Sequence, residues 1–352
     1  MLLVFALAIA LWSLGALIKI PNRNRWMMIG TLYFLVLAVH FILPKGHQLR
    51  MLLGETEDFW LIVGGFALLI FSYLLILRQL RSRANAKEVH ANPAAQESFT
   101  DTELNRYARH IVLREIGGHG QKALKNARVL VIGAGGLGAP VLQYLSAAGV
   151  GTIGVIDDDV VDGTNLHRQV IHQDKDIGIP KVFSAKAAME AQNPFVAVQS
   201  YNRRLTANIA DDLIKEYDLV LDGTDNFETR YIINAITVAR GVPLISGALS
   251  QWEGQLSIFD PARGAPCYRC IFPKAPEPEV APNCAATGVV GPLPGIIGAM
   301  MAVEAIKVIT GSGATLRGEL LIHDALYGEN RKIVLKRRAN CETCAHVTIN
   351  SA

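Results

Sequence analysis

The residues of this chain that could carry chemistry fall into a few groups. Gly133-Ala-Gly-Gly-Leu-Gly138 follows the β-branched run Arg128-Val-Leu-Val-Ile132 and precedes a helical stretch reaching about Ala148. Strand, glycine loop and helix together make a phosphate cradle. Gly133, Gly135, Gly136 and Gly138 permit a tight turn and let backbone N–H groups approach an anion at the helix N-terminus. Asp157 lies 19 residues after Gly138, at the end of a second strand over 154–156. An acid placed there can bond ribose hydroxyls. A further strand, 218–221, ends in Asp222-Gly-Thr-Asp-Asn226, and acids at the carboxyl end of a parallel strand face the ligand crevice. Asp225 suits a Mg²⁺ ion bound to phosphates. The alternative is an N-cap for a helix over 227–239, which Asp and Asn serve equally well. Asn165, Arg168 and Lys181 lie between these strands. As a group they suit a polyphosphate better than a hydride donor, although any one alone reads as a solvated surface charge. The loop and its acid by themselves fit NAD, FAD or ATP.

Four of the five cysteines form a second group, Cys267/Cys270 and Cys341/Cys344, two Cys-x-x-Cys pairs separated by 70 residues. Four thiolates satisfy tetrahedral Zn²⁺ and leave no open position, so the spacing predicts a structural site that ties the C-terminus back to the body. Redox pairs are the alternative. His346 is redundant once four cysteines are available. Five cysteines are too few for a disulfide scaffold in a chain of 352 residues, and the paired spacing points to a reducing compartment. The fifth, Cys284, sits in a stretch over 273–294 that holds six of the fifteen prolines and reads as a long mobile loop over the site.

The elements that must position these groups occupy only part of the chain. Charged residues make up 18%, mean hydropathy is +0.27 and net charge is +3. The hydrophobic content of 51% excludes wholesale disorder, and the small net charge gives no argument for nucleic acid. The charge deficit is local, because residues 1–77 hold only eight charges. Charge-free apolar runs at 1–18, 26–43 and 59–77 are 18 or 19 residues long, about the hydrocarbon thickness of a bilayer. They predict three transmembrane helices over 1–77. Basic residues in the first connector and after residue 77 place that connector and everything after residue 77 in the cytoplasm and the N-terminus outside, at the inner (cytoplasmic) membrane. His40 reads as an interfacial residue near a helix end. Residues 78–99 read as a polar linker and 100–352 as the catalytic body. Thr100-Asp-Thr-Glu103 fits a capping box that opens a helix. The apolar stretch 295–309 contains Glu304 and Lys307 and reads as a buried helix, not a fourth span.

The motifs of the body stand in an order that resembles the MoeB/ThiF/HesA family, bacterial relatives of ubiquitin-activating enzymes. They are Arg106-Tyr-Ala-Arg-His-Ile-Val-Leu113, the glycine loop with its strand, Asp157-x-Asp159 and Asn165-Leu-His-Arg-Gln169. After them come Gly178-Ile-Pro-Lys181, Asp222-Gly-Thr-Asp-Asn226, Cys267-Tyr-Arg-Cys270, Gly291-Pro-Leu-Pro-Gly295 and Cys341-Glu-Thr-Cys344. The resemblance covers about 240 of the 352 residues. It implies an α/β, Rossmann-like nucleotide-binding fold with a mainly parallel sheet and a zinc-tied C-terminal part. It also implies a nucleotidyltransferase that uses ATP and Mg²⁺ to adenylate the C-terminal glycine carboxylate of a small ubiquitin-like sulfur carrier ending in Gly-Gly. The molybdopterin-synthase small subunit is the leading carrier and a ThiS-type carrier the alternative. A tRNA-modifying dehydratase and an NAD-dependent oxidoreductase are more distant alternatives.

By the same resemblance, Gly136 and Asp157 contact the nucleotide, Asn165, Arg168 and Lys181 hold phosphates, Asp225 binds Mg²⁺, and Asn226 lies beside the nucleotide. Arg109 reaches into the neighbouring protomer's site, which implies a homodimer. Cys284 is a covalent sulfur-transfer residue in ThiF-like relatives and dispensable in MoeB-like ones. A rhodanese-like extension is absent, so a separate sulfur-donor protein is expected. The family's Ser-Asn-Leu-Gln-Arg-Gln reads Thr164-Asn-Leu-His-Arg-Gln169 here, with His167 replacing a neutral amide.

Overall fold

The computed structural model describes residues 2–18, 22–44, 46–54, 56, 58–66, 68–70, 72–73, 99–275 and 288–349. The chain divides into two compact units, Met1–Ser98 and Phe99–Ala352.

The N-terminal unit contains α1 (Leu2–Leu17), α2 (Asn22–Ile42) and the short α3 (Gln48–Leu53), followed by an apolar helical stretch at Asp58–Ile70. The expectation of three membrane-length helices is corrected here. Among the described residues of this unit, only α2, over Asn24–Ile42, is long and apolar enough to cross a membrane. At about 1.5 Å per residue, α1 with its 16 residues reaches only about 24 Å. His40 is buried, with Nδ1 2.9 Å from the Val36 carbonyl oxygen and Nε2 2.6 Å from that of Gly54. It ties α2 to the turn after α3. Val4, Val36 and Trp60 form a small core, while most of the remaining large apolar side chains point outward, Phe34 at 70% and Phe41 at 68% exposure among them.

The second unit opens with the expected capping box on α4 (Asp101–Ile111). The Thr100 hydroxyl accepts from the Glu103 N–H at 3.2 Å, and the Glu103 carboxylate accepts from the Thr100 N–H at 2.8 Å. The elements that follow are α5 (Gly117–Asn126), β1 (Arg128–Ile132), α6 (Gly138–Ala148), β2 (Thr152–Asp157), α7 (Lys181–Gln192), β3 (Ala197–Asn202), α8 (Ala207–Ile214), β4 (Leu219–Asp222) and α9 (Phe227–Arg240). Then come β5 (Leu244–Leu249), β6 (Glu253–Phe259), α10 (Tyr268–Ile271), α11 (Pro292–Thr310), β7 (Glu319–Asp324) and β8 (Glu329–Val334).

The eight strands form one sheet in the order β3-β2-β1-β4-β5-β6-β7-β8. The first five are mutually parallel, and β6, β7 and β8 extend the sheet antiparallel. The three antiparallel strands are an addition to the mainly parallel sheet that the family resemblance implies. Because strand side chains alternate between faces, Val129 and Val131 enter a core with Leu142, Leu145, Ile297 and Met301. Leu130 and Ile132 enter a second core with Ile214, Val220 and Ile233 on the other face. A sheet covered on both faces explains why β1 is continuously apolar rather than alternating. β8 lies at one end of the sheet, and all six of its residues are exposed.

The stretch 295–309 is a buried core helix, as expected. α11 contributes Leu293, Ile297, Met301 and Ala305 to the first core. It is as apolar as α2, yet 44% of its central window is buried against 11% for α2. Of the loop expected over 273–294, residues 276–287, Cys284 included, lie outside the described residues. Its end is corrected: Pro292–Pro294 already belong to α11, where a proline at the start of a helix forfeits no hydrogen bond.

Candidate functional site: a cleft at the strand switch point

The chain runs from β1 to β3 on one side of the sheet and continues from β4 on the other, so order reverses between β1 and β4. Ligands of open α/β sheets bind in the crevice at such a point. Here the crevice is a cleft of about 1270 Å³, lined by the glycine loop, Asp157–Asp159, Arg168, Lys181 and Thr224–Asn226. The loop needs its glycines for steric reasons. Gly133 sits at φ +95°, and a Cβ on Gly138 would stand 1.9 Å from the Gly133 carbonyl oxygen. A side chain on Gly136 would press against Pro294. Gly135 also lines the cleft.

Asp157 ends β2 beside this loop. Its carboxylate accepts the Ala134 N–H at 2.7 Å and the Asp159 N–H at 2.8 Å. Burial pushes this carboxyl above the usual carboxylate range, against the pull of those two N–H groups and of Lys181. Lys181, the first residue of α7, is buried and pairs with Asp159 at 2.7 Å. Arg168 donates from Nη2 to the Asn165 side-chain oxygen at 2.6 Å. Arg168 and Lys181 thus reach the cleft held by partners, whereas Asn165 does not line it and braces Arg168. His167 takes the local position left by the amide of the family motif, 3.0 Å from the Thr164 carbonyl oxygen.

Asp225 is exposed and lines the cleft. The N-cap role falls on its neighbour: the Asn226 side chain accepts the Thr229 N–H at 2.9 Å and opens α9. The two readings of this turn are therefore divided between adjacent residues. Arg109 is exposed on α4 and is not among the residues lining the cleft.

Sequence reasoning misses two buried polar groups around the cleft. One joins Asp222 to Arg230 and Ser246. No local spacing announces it, because Ser246 arrives on a different strand. The other is His172, whose Nε2 lies 2.9 Å from the Ala134 carbonyl oxygen and Nδ1 2.9 Å from the Ser184 hydroxyl. A carbonyl only accepts, so Nε2 carries the proton. Burial lowers the pKa of His172, with the nearby Lys181 charge acting in the same direction.

Cys267, Cys270, Cys341 and Cys344 are all buried, and their sulfurs lie within 4.8 Å of one another. The Cys267–Cys341 and Cys270–Cys344 separations are 3.5 and 3.4 Å. Zn–S bonds of about 2.3 Å in a tetrahedron give S···S edges of about 3.8 Å, close to these separations, so the four residues could hold a metal ion. Burial pushes the Cys267 thiol up and that of Cys344 to about 11, a state that a bound cation reverses by taking the thiolates as ligands.

The sequence pattern of the ThiF family matches residues 107–344, and all of the cleft and all four clustered cysteines lie in that stretch. This chain belongs to the ThiF family. It is a nucleotidyltransferase of that family. The sulfur carrier protein adenylyltransferase of Thermus thermophilus is 47% identical over 250 residues, which cover 70% of this chain and 92% of the relative. The SAMP-activating enzyme E1 of Haloferax volcanii is 44% identical over 254 residues, 72% and 93% of the two chains. Among solved structures, Escherichia coli MccB crystallised with MccA-N7isoASN aligns at a TM-score of 0.61 and 21% identity, covering 72% of this chain and 77% of that one. That likeness is one of fold. The ThiF-family match falls inside the second unit and leaves the apolar N-terminal unit outside it.

Proposed function

We propose that the ThiF-family unit uses ATP to adenylate the C-terminal glycine carboxylate of a ubiquitin-like sulfur-carrier protein, with the molybdopterin-synthase small subunit as the carrier. The observation that carries this reading is the cleft itself, where a glycine loop, the Asp157 carboxylate and two braced cations meet at one switch point. The names of the relatives from Thermus and Haloferax agree with it.

The carrier's carboxylate is ionised at neutral pH, since α-carboxyl groups titrate at about 3.5. It needs no general base. It attacks the α-phosphorus, a C–O–P linkage forms, the bond to the β-phosphate breaks, and its electron pair leaves with pyrophosphate. The barrier is the meeting of two anions and the charge on the leaving group. Cations fixed in advance lower that barrier without reorganising during the reaction. Arg168 and Lys181, held by Asn165 and Asp159, fit that requirement. Asp225 is the residue that would hold Mg²⁺, which neutralises phosphate charge when bound. Gly133, Gly135, Gly136 and Gly138 bring the backbone to the phosphates, Asp157 takes the ribose, and Asn226 keeps the turn in place. Arg109, exposed and outside the lining, serves the site of a second copy in a homodimer. The four cysteines hold structural Zn²⁺. The N-terminal unit attaches the enzyme to a membrane through its outward apolar surface, of which α2 is the membrane-length part.

Purified carriers of the molybdopterin and ThiS types, each added with ATP and labelled pyrophosphate, test this reading. Exchange driven by the molybdopterin-type carrier is expected. Exchange with the ThiS-type carrier alone reassigns the pathway, and exchange with neither rejects adenylation of a sulfur carrier.

A further inference from the structure

Beside the Asp222–Asn226 turn lies a buried ion pair that the chemistry above leaves unused. The Asp222 and Arg230 side chains are 1% and 7% exposed, with Arg230 Nη1 3.1 Å from Asp222 Oδ2. A pair of this kind gives little stability by its charges alone, because desolvating two ions offsets their attraction. Its other hydrogen bonds show what it holds. Arg230 Nη1 also donates to the Ser246 hydroxyl at 2.8 Å, and Ser246 donates onward to Asp222 Oδ2 at 2.8 Å. Arg230 Nη2 donates to the Gly247 carbonyl on β5 at 2.7 Å and to the Thr224 carbonyl at 2.5 Å. Asp222 Oδ1 accepts the Thr224 N–H at 3.0 Å and the Thr224 hydroxyl at 2.6 Å.

Thr224 is thus gripped at both its N–H and its carbonyl. The carbonyl matters most, because the Thr224 C=O and the Asp225 N–H belong to one planar peptide unit. Fixing that plane fixes the base on which the Asp225 side chain stands. On the far side, Asn226 caps α9. A planar guanidinium has donors in a rigid fork and reaches a turn carbonyl and a strand carbonyl together, which an ammonium does not reproduce.

Arg230 and Ser246 also border the cleft wall, but the Arg230 donors are taken up by Asp222, Ser246, Thr224 and Gly247; we propose that Arg230, with Asp222 and Ser246, is a positioning residue for adenylation and acts on the reaction through Asp225. The inference rests on the metal-holding role of Asp225 proposed above. Partners one shell away from a metal ligand change metal affinity by about 10–100-fold when removed, and that is the scale expected here.

Full-length wild type is compared with Arg230→Lys, Ser246→Ala and the double variant Asp222→Asn/Arg230→Met. The double variant removes both charges together, so neither is left buried alone. Three readouts are taken: the Mg²⁺ dependence of carrier-driven pyrophosphate exchange, binding of a non-hydrolysable ATP analogue with and without Mg²⁺, and hydrogen exchange at the Thr224 amide. Arg230→Lys and the double variant are expected to raise the Mg²⁺ half-saturation by about tenfold or more. They should also speed Thr224 exchange and leave metal-free analogue binding within about twofold of wild type. Ser246→Ala, a loss of one hydroxyl, is expected to shift both readouts in the same direction by less, and it decides the matter should the other variants not fold. Folded variants with the wild-type Mg²⁺ dependence and wild-type Thr224 exchange overturn the inference, as do losses that merely track melting temperature. A wild type without carrier-driven exchange rejects the adenylation reading instead, and the analogue-binding and hydrogen-exchange arms still judge Arg230.

Discussion

Lys181 and His172 show how single side chains set this site. The Lys181 ammonium is buried while its partner Asp159 is largely exposed, so the cation is stationed in the cleft, and in the chemistry proposed above the acid turns to water when phosphate takes its place. Lys181→Ala should therefore leave the fold intact and lower the exchange rate by about 10²–10³, read as kcat/KM beside an unchanged melting temperature. His172 acts on the other side of the glycine loop, bonded to the Ala134 carbonyl. Its pKa is lowered mainly by burial, so on acidification the unfolded chain takes up a proton that the folded one refuses. Stability contributed by neutral His172 is then complete above the unfolded pKa of about 6.5 and declines as pH falls below it. Melting temperatures of wild type and His172→Asn, followed from pH 8 to pH 5, should converge toward the acid end. A constant gap would show that His172 stays outside the titration.

Among the elements, the turn from β1 into α6 is the least tolerant. Gly138 has the Gly133 carbonyl where a Cβ would go, and backbone cannot swing aside as a side-chain tip can. Gly138→Ala should displace the loop, abolish nucleotide binding in a calorimetric titration, and lower the melting temperature of the second unit. This turn was legible in the sequence because its strand is a compact β-branched run and its glycines follow at once: β1 and the span of α6 match their predicted positions. The capping box at Thr100 was legible for the same local reason. The Asp222–Arg230–Ser246 cluster was not, since it is assembled from β4, α9 and β5 and has no sequence period. The antiparallel strands β6–β8 escaped notice because their register is set by pairing rather than by a motif. The apolarity of α2 and α11 is equal, and it is Glu304 and Lys307 within α11 that mark it in the sequence as the helix to be buried.

At the scale of the molecule, the family match and the cleft both lie in Phe99–Ala352. A truncated protein beginning at Phe99 should retain pyrophosphate exchange within a few-fold of full length, while membrane flotation should be lost with the first unit. The four cysteines join α10 to the C-terminal stretch. Removing a structural metal from such a site removes folding free energy, so a strong chelator should lower the melting temperature of the second unit and expose four thiols to a thiol reagent. One consequence of the exposed strand β8 concerns solubility. An end strand offers unpaired N–H and C=O groups to any passing chain. Were two copies to pair antiparallel through Glu329-Asn-Arg-Lys-Ile-Val334 about its centre, Arg331 and Lys332 would face each other or themselves. Like charges directly opposite are destabilising, though here Lys332 is met by Glu319 at 3.1 Å and Arg331 by Glu329 at 4.0 Å, so self-pairing at this edge would have to break or share those ion pairs.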